Sequence, residues 1–420
     1  MVTVNPGLAG VVAFDTEIAE PDRDGGALRY RGVDIRSLAG VVSFGDVWGL
    51  LADGSFESPL LPAGQEQPRV VGGAGGPAAR VAGAGGPAAR VAGVGEPAVG
   101  VAGSAGVGGP AARVAGGDEL RLRSGDVRVD VQAAAAALGM RPIIDLSHEE
   151  ARDDVARASA AMLAVVARSA RGDDLPPVPE HRVAEGHDVT SQFMIRWRGE
   201  PDPRHVAAID RYWVCAAEHG MNASTFTARV VASTGADVGA CLSAATGALS
   251  GPLHGGAPAR ALGMVAAVEK SGDARSYVKN VLDSGQRLMG FGHAVYRAED
   301  PRARILREAA RELGAPRYEV ALELEKAALA ELRERKPDRV LETNVEFWAA
   351  IVLDFAEVPV DMLAAMFTCA RTAGWSAHIL EQKRLAKIIR PSADYVGPAE
   401  RTAALLPGWE EAVKRHATAR

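Results

Sequence analysis

The chain has 420 residues, with 47 Lys and Arg against 53 Asp and Glu for a formal charge of −6, so it lacks the basic field that collects nucleic acid or anionic membrane. Its length allows a sizeable core and roughly two or three domains, one of them split. Its three cysteines, Cys215, Cys241 and Cys369, lack zinc or disulfide spacing and read as buried hydrophobes; with no secretory signal at the N-terminus, the expected location is cytoplasmic.

In chain order, Val11–Phe14, Gly25–Gly32 and Val33–Ile35 are short and turn-rich, suited to a small hairpin. Residues 72–117 hold a repeat with a period of ten, beginning Gly75-Gly-Pro-Ala-Ala-Arg. Its Gly and Pro break both helical and strand periods, and valine is its largest apolar side chain, so it cannot offset its ordering entropy by burial. A mobile, exposed insert is expected there. Val127–Val131 alternates like a strand, yet the alanine run that follows favours a helix, and this boundary stays open.

Ser147 with Glu150 forms a capping box ahead of Val155, Ala158, Met162 and Val165 on one face, and Gly172 follows the last turn. Val238–Ala259 is uncharged but too weakly apolar to span a membrane; it reads as a closely packed helix followed by a turn. Arg302–Leu313 stacks Ile305, Leu306, Ala309 and Leu313 before Gly314, and Tyr318–Lys336 continues as a second helix. The expected class is mainly α, with minor β near the N-terminus.

Two histidines stand among glycines. In Gly251-Pro-Leu-His254-Gly-Gly256 the glycines let backbone approach a ligand. An imidazole before a helix N-terminus stays neutral and can donate to a developing enolate. Alone, the segment is better described as a turn histidine held by backbone. His293, in Gly290-Phe291-Gly292-His293-Ala-Val-Tyr-Arg297, is followed by Arg302; both arginines suit phosphate or carboxylate. Glu346 lies in Asn344-Val-Glu-Phe-Trp348, where desolvation would raise its pKa toward that of a useful base, though it equally suits a helix N-terminus. Arg371 and Arg390 lie in weakly charged runs, and interior arginines usually have anionic partners. The histidines lack HExxH-type spacing, so no metal site is expected.

The order of these segments, from the His219 region through GPLHGG, GFGHAVYR with Asp300-Pro-Arg302, NVEFW, RTAGWSAH and the Arg390 segment, resembles the citrate synthase family, closest to its shorter bacterial members. The likeness covers nearly the whole chain except the repeat. It implies a large helical domain (1–255 and 359–420) with a small helical domain, 256–358, inserted, and a homodimer. His254, His293 and Glu346 would be catalytic. His219, Arg302, Arg371 and, from the facing subunit, Arg390 would hold oxaloacetate. Arg297 with Gly290, Phe291 and Gly292 would contact CoA, a thioester substrate; no tightly bound cofactor is implied.

The family's usual base is Asp, whereas this chain has Glu346. The extra methylene moves the carboxylate, and backbone set back to compensate is the expectation. The activity implied is condensation of acetyl-CoA with oxaloacetate and hydrolysis of citryl-CoA. Alternatives are a 2-methylcitrate synthase using propionyl-CoA and a silent paralogue that binds CoA or a dicarboxylate.

Overall fold

A computed structural model of the chain describes residues 6–8, 10–22, 24, 26–63, 124–251, 254, 257–293 and 295–418. The repeat at 72–117, and positions 252, 253, 255 and 256 around His254, lie outside them. Residues up to Lys387 form one contact unit and Ile388–Arg420 a second.

Near the N-terminus, β1 (Ala19–Asp22), β2 (Ala27–Tyr30) and β3 (Val33–Asp34) form an antiparallel sheet in that order, with Ala19 opposite Tyr30 and Tyr30 opposite Val33. The expected hairpin therefore starts at Ala19. Val11–Phe14 joins no strand; Phe14 instead packs on Phe226 and beneath the Arg229 guanidinium, 3.8 Å from its ring centre.

Helix α1 (Phe44–Asp53) opens on a Ser43/Asp46 capping box and closes on left-handed Gly54. In α2 (Val127–Ala136) the open boundary resolves as helix: Asp126 accepts from the Arg128 and Val129 amides, and the alanine propensity outweighs the local alternation. The Ser147/Glu150 box opens α3 (His148–Arg171), whose buried face includes Val155, Ala158 and Met162 but turns through Val166 rather than Val165. Next come α4 (Glu180–Val183), α5 (Val189–Arg198), α6 (Pro203–Ala216), α7 (Ala223–Ser233) and α8 (Val238–Leu249). Beyond a turn lie α9 (Ala257–Ser271), α10 (Ala274–Asp283), α11 (Pro301–Glu312), α12 (Tyr318–Arg335), α13 (Val345–Phe355) and α14 (Leu363–Leu385).

Helix α14 is the structural axis. It packs on α1, α3, α6, α7 and α8, and nearly every residue from Leu363 to Gln382 is buried. Helix α13 packs on α9 and α11, α12 on α9 and α10, and both α11 and α13 meet α6. Trp48, Trp213, Trp348 and Trp375 are wholly buried, each worth up to about 4–6 kcal/mol at about 25 cal/mol per Å². A helix enclosed on all sides must satisfy its polar side chains within the protein. Arg371, His378 and Glu381 of α14 are such groups, and their partners lie at the candidate site or behind it.

The second unit holds α15 (Trp409–Thr418) and exposes Tyr395, Val396 and Leu405. No described helix is long and apolar enough to cross a membrane.

Candidate active site

The loop carrying His293 is stitched to the segment that enters α13. Gly292 N–H donates to Glu342 O (2.7 Å), Asn344 N–H to Gly290 O (2.9 Å), and Asn344 Nδ2 to Gly292 O (2.8 Å). Gly290 has φ of 85°, and a Cβ there would stand 2.6 Å from Phe347 Cβ, so the close approach requires glycine. Asn344 then caps α13 by accepting from Glu346 N–H (3.0 Å). His293 and Glu346 are therefore fixed relative to one another by backbone.

Asp300 is the second tie. It caps α11 ahead of Pro301, accepts the Arg302 guanidinium at 3.0 and 2.7 Å, and accepts Val345 N–H at 3.0 Å. One buried carboxylate thus joins the N-termini of α11 and α13 to Arg302. His293 Nδ1 accepts from the Val295 and Tyr296 amides at 2.9 and 3.3 Å, which puts the proton of the neutral ring on Nε2. That Nε2 lies 3.4 Å from Arg302 Nη2. Two donors side by side suit an anionic or carbonyl oxygen.

His219 joins this cluster from the segment after α6. Its Nε2 is 3.0 Å from Tyr296 Oη, and its ring centre is 5.1 Å from that of His293. Tyr30 sets the backbone there, its hydroxyl lying 3.0 Å from Val214 O and 3.1 Å from Glu218 O. Arg371 arrives from α14, donating Nε–H to Ala216 O at 3.0 Å and lying over Phe367.

His254 stands three residues before α9. Its Nε2 is 3.0 Å from Ser224 Oγ, which also donates to Asn222 Oδ1 (2.9 Å) and accepts from Trp375 Nε1 (3.3 Å). A hydroxyl has one proton, so Ser224 donates to either Asn222 or His254 at a given moment. Phe367, under Arg371, also meets the His254 ring.

The electrostatics favour neutral imidazoles. Burial, then Arg302, pushes His293 down to about 4. Burial, then Arg302, His293 and Arg371, holds His219 well below the usual range. Burial, then Arg371, lowers His254. Glu346 moves the other way: burial pushes it up to about 7, against the pull of Arg302 and Arg371.

His219, His293 and Arg302 are thus in direct contact, with Glu346, His254 and Arg371 joined to them through shared packing and charge. Arg297 is exposed and pairs with Asp24 at 3.7 Å. Arg390 belongs to the second unit and is exposed there. Gly290, Phe291 and Gly292 form the stitched loop. Beside it a cavity of about 690 Å³ is lined by Phe291, His293, Arg287, Lys336 and Arg339 among others. Sequence reasoning gave no role to Tyr296, Ser224 or Asp300; only Asp300, as Asp-Pro before a helix, carried a local signal. Among the described residues no group of three or more His, Cys, Asp and Glu could hold a metal ion.

The chain matches the family described as "Citrate synthase, C-terminal domain" over residues 7–66 and 120–392. It is 58% identical to the "Putative citrate synthase 2" of Mycobacterium tuberculosis over 410 residues, 96% of either chain. A 2-methylcitrate synthase of Shewanella oneidensis is 40% identical over 202 residues, 48% of this chain and 53% of that one. The backbone also resembles the Thermoplasma acidophilum citrate synthase solved with carboxymethyl coenzyme A and oxaloacetate, with a TM-score of 0.69 at 23% identity over 94% of this chain and 97% of that one. Fold and relatives define a condensing enzyme of the acyltransferase class. The chain belongs to the citrate synthase family.

Proposed function

We propose that the enzyme condenses acetyl-CoA with oxaloacetate and hydrolyses the resulting citryl-CoA to citrate and CoA. The observation that carries this reading is the packing of neutral His219 and His293 against Arg302, with Glu346 fixed to the same loop. Arg302, Arg371 and His219 take the oxaloacetate carboxylates, and Arg390 of the facing subunit completes the set in a homodimer. The cations of the 690 Å³ cavity beside Phe291, together with Arg297 and the Gly290–Gly292 backbone, suit the CoA phosphates.

The steps follow from the proton inventory. Ionised Glu346 removes a methyl proton from the acetyl group. When Ser224 turns its proton to His254 Nε2, the ring's own proton sits on Nδ1 and is donated to the thioester oxygen as it becomes enolate-like. The carbon nucleophile attacks the oxaloacetate ketone, whose oxygen is polarised by His293 Nε2–H. The alkoxide formed with the new C–C bond takes up one proton, balanced by the one Glu346 removed and now gives up, so that His293 ends neutral and Glu346 ionised. Water then cleaves the thioester, releasing CoA and leaving the new carboxylate. Residues 256–358 act as the small domain that closes over bound oxaloacetate and excludes water. The setting is cytoplasmic.

The likeness to a 2-methylcitrate synthase favours a second reading, propionyl-CoA in the same cleft, since one methylene discriminates weakly. CoA release measured with oxaloacetate and either thioester decides. A higher kcat/KM for acetyl-CoA is expected; a clear propionyl-CoA preference moves the assignment, and no release with either thioester overturns it.

A further inference from the structure

Helix α14 turns Arg371, Gly374 and His378, at i, i+3 and i+7 on one face, toward the segment that ends in His219. Arg371 Nε–H donates to Ala216 O (3.0 Å), Gly374 N–H to Ala217 O (3.1 Å), and His378 Nε2 lies 3.4 Å from Glu218 Oε1. A Cβ on Gly374 would overlap Glu218 Oε2 and stand 2.7 Å from Ala217 O, so only glycine lets this carboxylate lie against the helix.

Glu218 and His378 are fully buried. Among the described residues, neither carboxylate oxygen of Glu218 nor His378 Nε2 makes a normal hydrogen bond; the polar groups that face the carboxylate are His378 Nε2 at 3.4 Å and the His219 backbone N–H. The polarity of the His378 contact is fixed from behind. Arg229 Nη1 faces His378 Nδ1 at 3.0 Å; a guanidinium only donates, so Nδ1 accepts and the ring proton points from Nε2 at Glu218. Arg229 is held in turn by Glu381, by Gln382 Oε1 at 3.0 Å and by the Phe14 ring.

Arg371 has no carboxylate within 4 Å among the described residues, although it is 2% exposed. Burial works against its charge, and Glu218 is the strongest of the charges that oppose this effect. A buried carboxylate without a good hydrogen bond, released beside a guanidinium, pairs with it. We infer that His378 is a positioning residue that tethers Glu218 away from Arg371, so that the guanidinium fork stays available to a substrate carboxylate. This deepens the proposed condensation and rests on it.

The test measures oxaloacetate affinity by calorimetry, together with kcat and both KM values, for wild type, His378→Leu, His378→Gln, Glu218→Gln and the double variant that combines His378→Leu with Glu218→Gln. H378L is expected to raise the oxaloacetate KM about tenfold, with kcat and the acetyl-CoA KM changed far less. H378Q, whose amide still donates to Glu218, stays within about threefold. The double variant, having no carboxylate to capture Arg371, recovers most of the lost affinity, a rescue that a purely structural defect would not give. An unchanged KM in H378L, or a double variant as weak as the single, overturns the inference. Should H378L not fold, E218Q decides: binding within about threefold of wild type supports the tether, and binding about tenfold weaker refutes it. Wild type that neither binds oxaloacetate nor releases CoA fails at the earlier step, and refutes the functional reading itself.

Discussion

Replacing Glu346 by Gln separates the chemical role of this side chain from its electrostatic cost. The carboxyl occupies the second residue of α13, partly buried, where burial pushes it up from 4.5 to about 7 although Arg302 and Arg371 pull it down. That displacement corresponds to about 3 kcal/mol in favour of the protonated form in the folded protein. The unfolded carboxyl ionises near 4.5 and the folded one near 7, so this stabilisation is full below the first value and is lost as pH rises through the second. Gln mimics the neutral acid and has no proton to lose.

Glu346→Gln and wild type should therefore have similar stability near pH 5. At pH 8.5 the variant should be more stable by up to about 3 kcal/mol, read as a widening gap in denaturant midpoint or Tm. Turnover should fall by about a hundredfold or more while oxaloacetate binding persists, and wild-type activity should rise with pH through about 7. A gap that does not open with pH would refute the desolvation argument. Near-normal turnover would mean that another carboxylate is the base.

Tyr296→Phe removes the 3.0 Å contact to His219 Nε2 and should raise the oxaloacetate KM by about fivefold, with little change in Tm; an unchanged KM would place His219 outside the binding set. Gly290→Ala forces a side chain at φ 85° into Phe347 and should destabilise by about 2 kcal/mol or more while lowering kcat, since it parts the His293 loop from α13. Normal stability and turnover would show that the stitched loop has slack. Deleting residues 72–117, a stretch the family match passes over, should leave Tm within a few degrees and turnover within about twofold; loss of folding would show that the repeat contributes to the core.

How much could be read from the sequence depended on how local each signal was. Ser147 with Glu150, Asp300 with Pro301, and Gly314 after Leu313 each announce a helix end within a few residues, and each stands at the corresponding end. The Val127–Val131 alternation left its boundary open, and the structure resolves it as helix because five residues of period two weigh little beside an alanine run and an Asp126 cap. His254 and His293 drew notice through their glycines. Their supports did not: Tyr296 meets His219 across 77 positions of sequence, and Ser224 meets His254 across 30. Ser224 looks in sequence like any residue in the first turn of a helix capped by Asn222. Packing of α7 against α14 brings it to Trp375, and the turn ahead of α9 sets the His254 ring against the same hydroxyl.

The charge inventory explains why these residue types share one cleft. Arg302 and Arg371 are the fixed cations, and after burial itself their charges bias the imidazoles toward the neutral form, Arg302 at His219 and His293 and Arg371 at His219 and His254. A neutral imidazole still donates one N–H, so it polarises an oxygen without bringing a net charge that would have to be desolvated. The two arginines are not equivalent. Arg302 commits its fork to Asp300 and so holds α11 and α13 in register, whereas Arg371, among the described residues, donates to Ala216 O and lies over the Phe367 ring at 4.8 Å. Burial drives the three imidazoles and Glu346 toward their neutral forms, and for Glu346 it overcomes both cations. A base poised near neutral pH, beside imidazoles biased toward the neutral form, can take up a carbon-bound proton without an imidazolium pairing with its carboxylate.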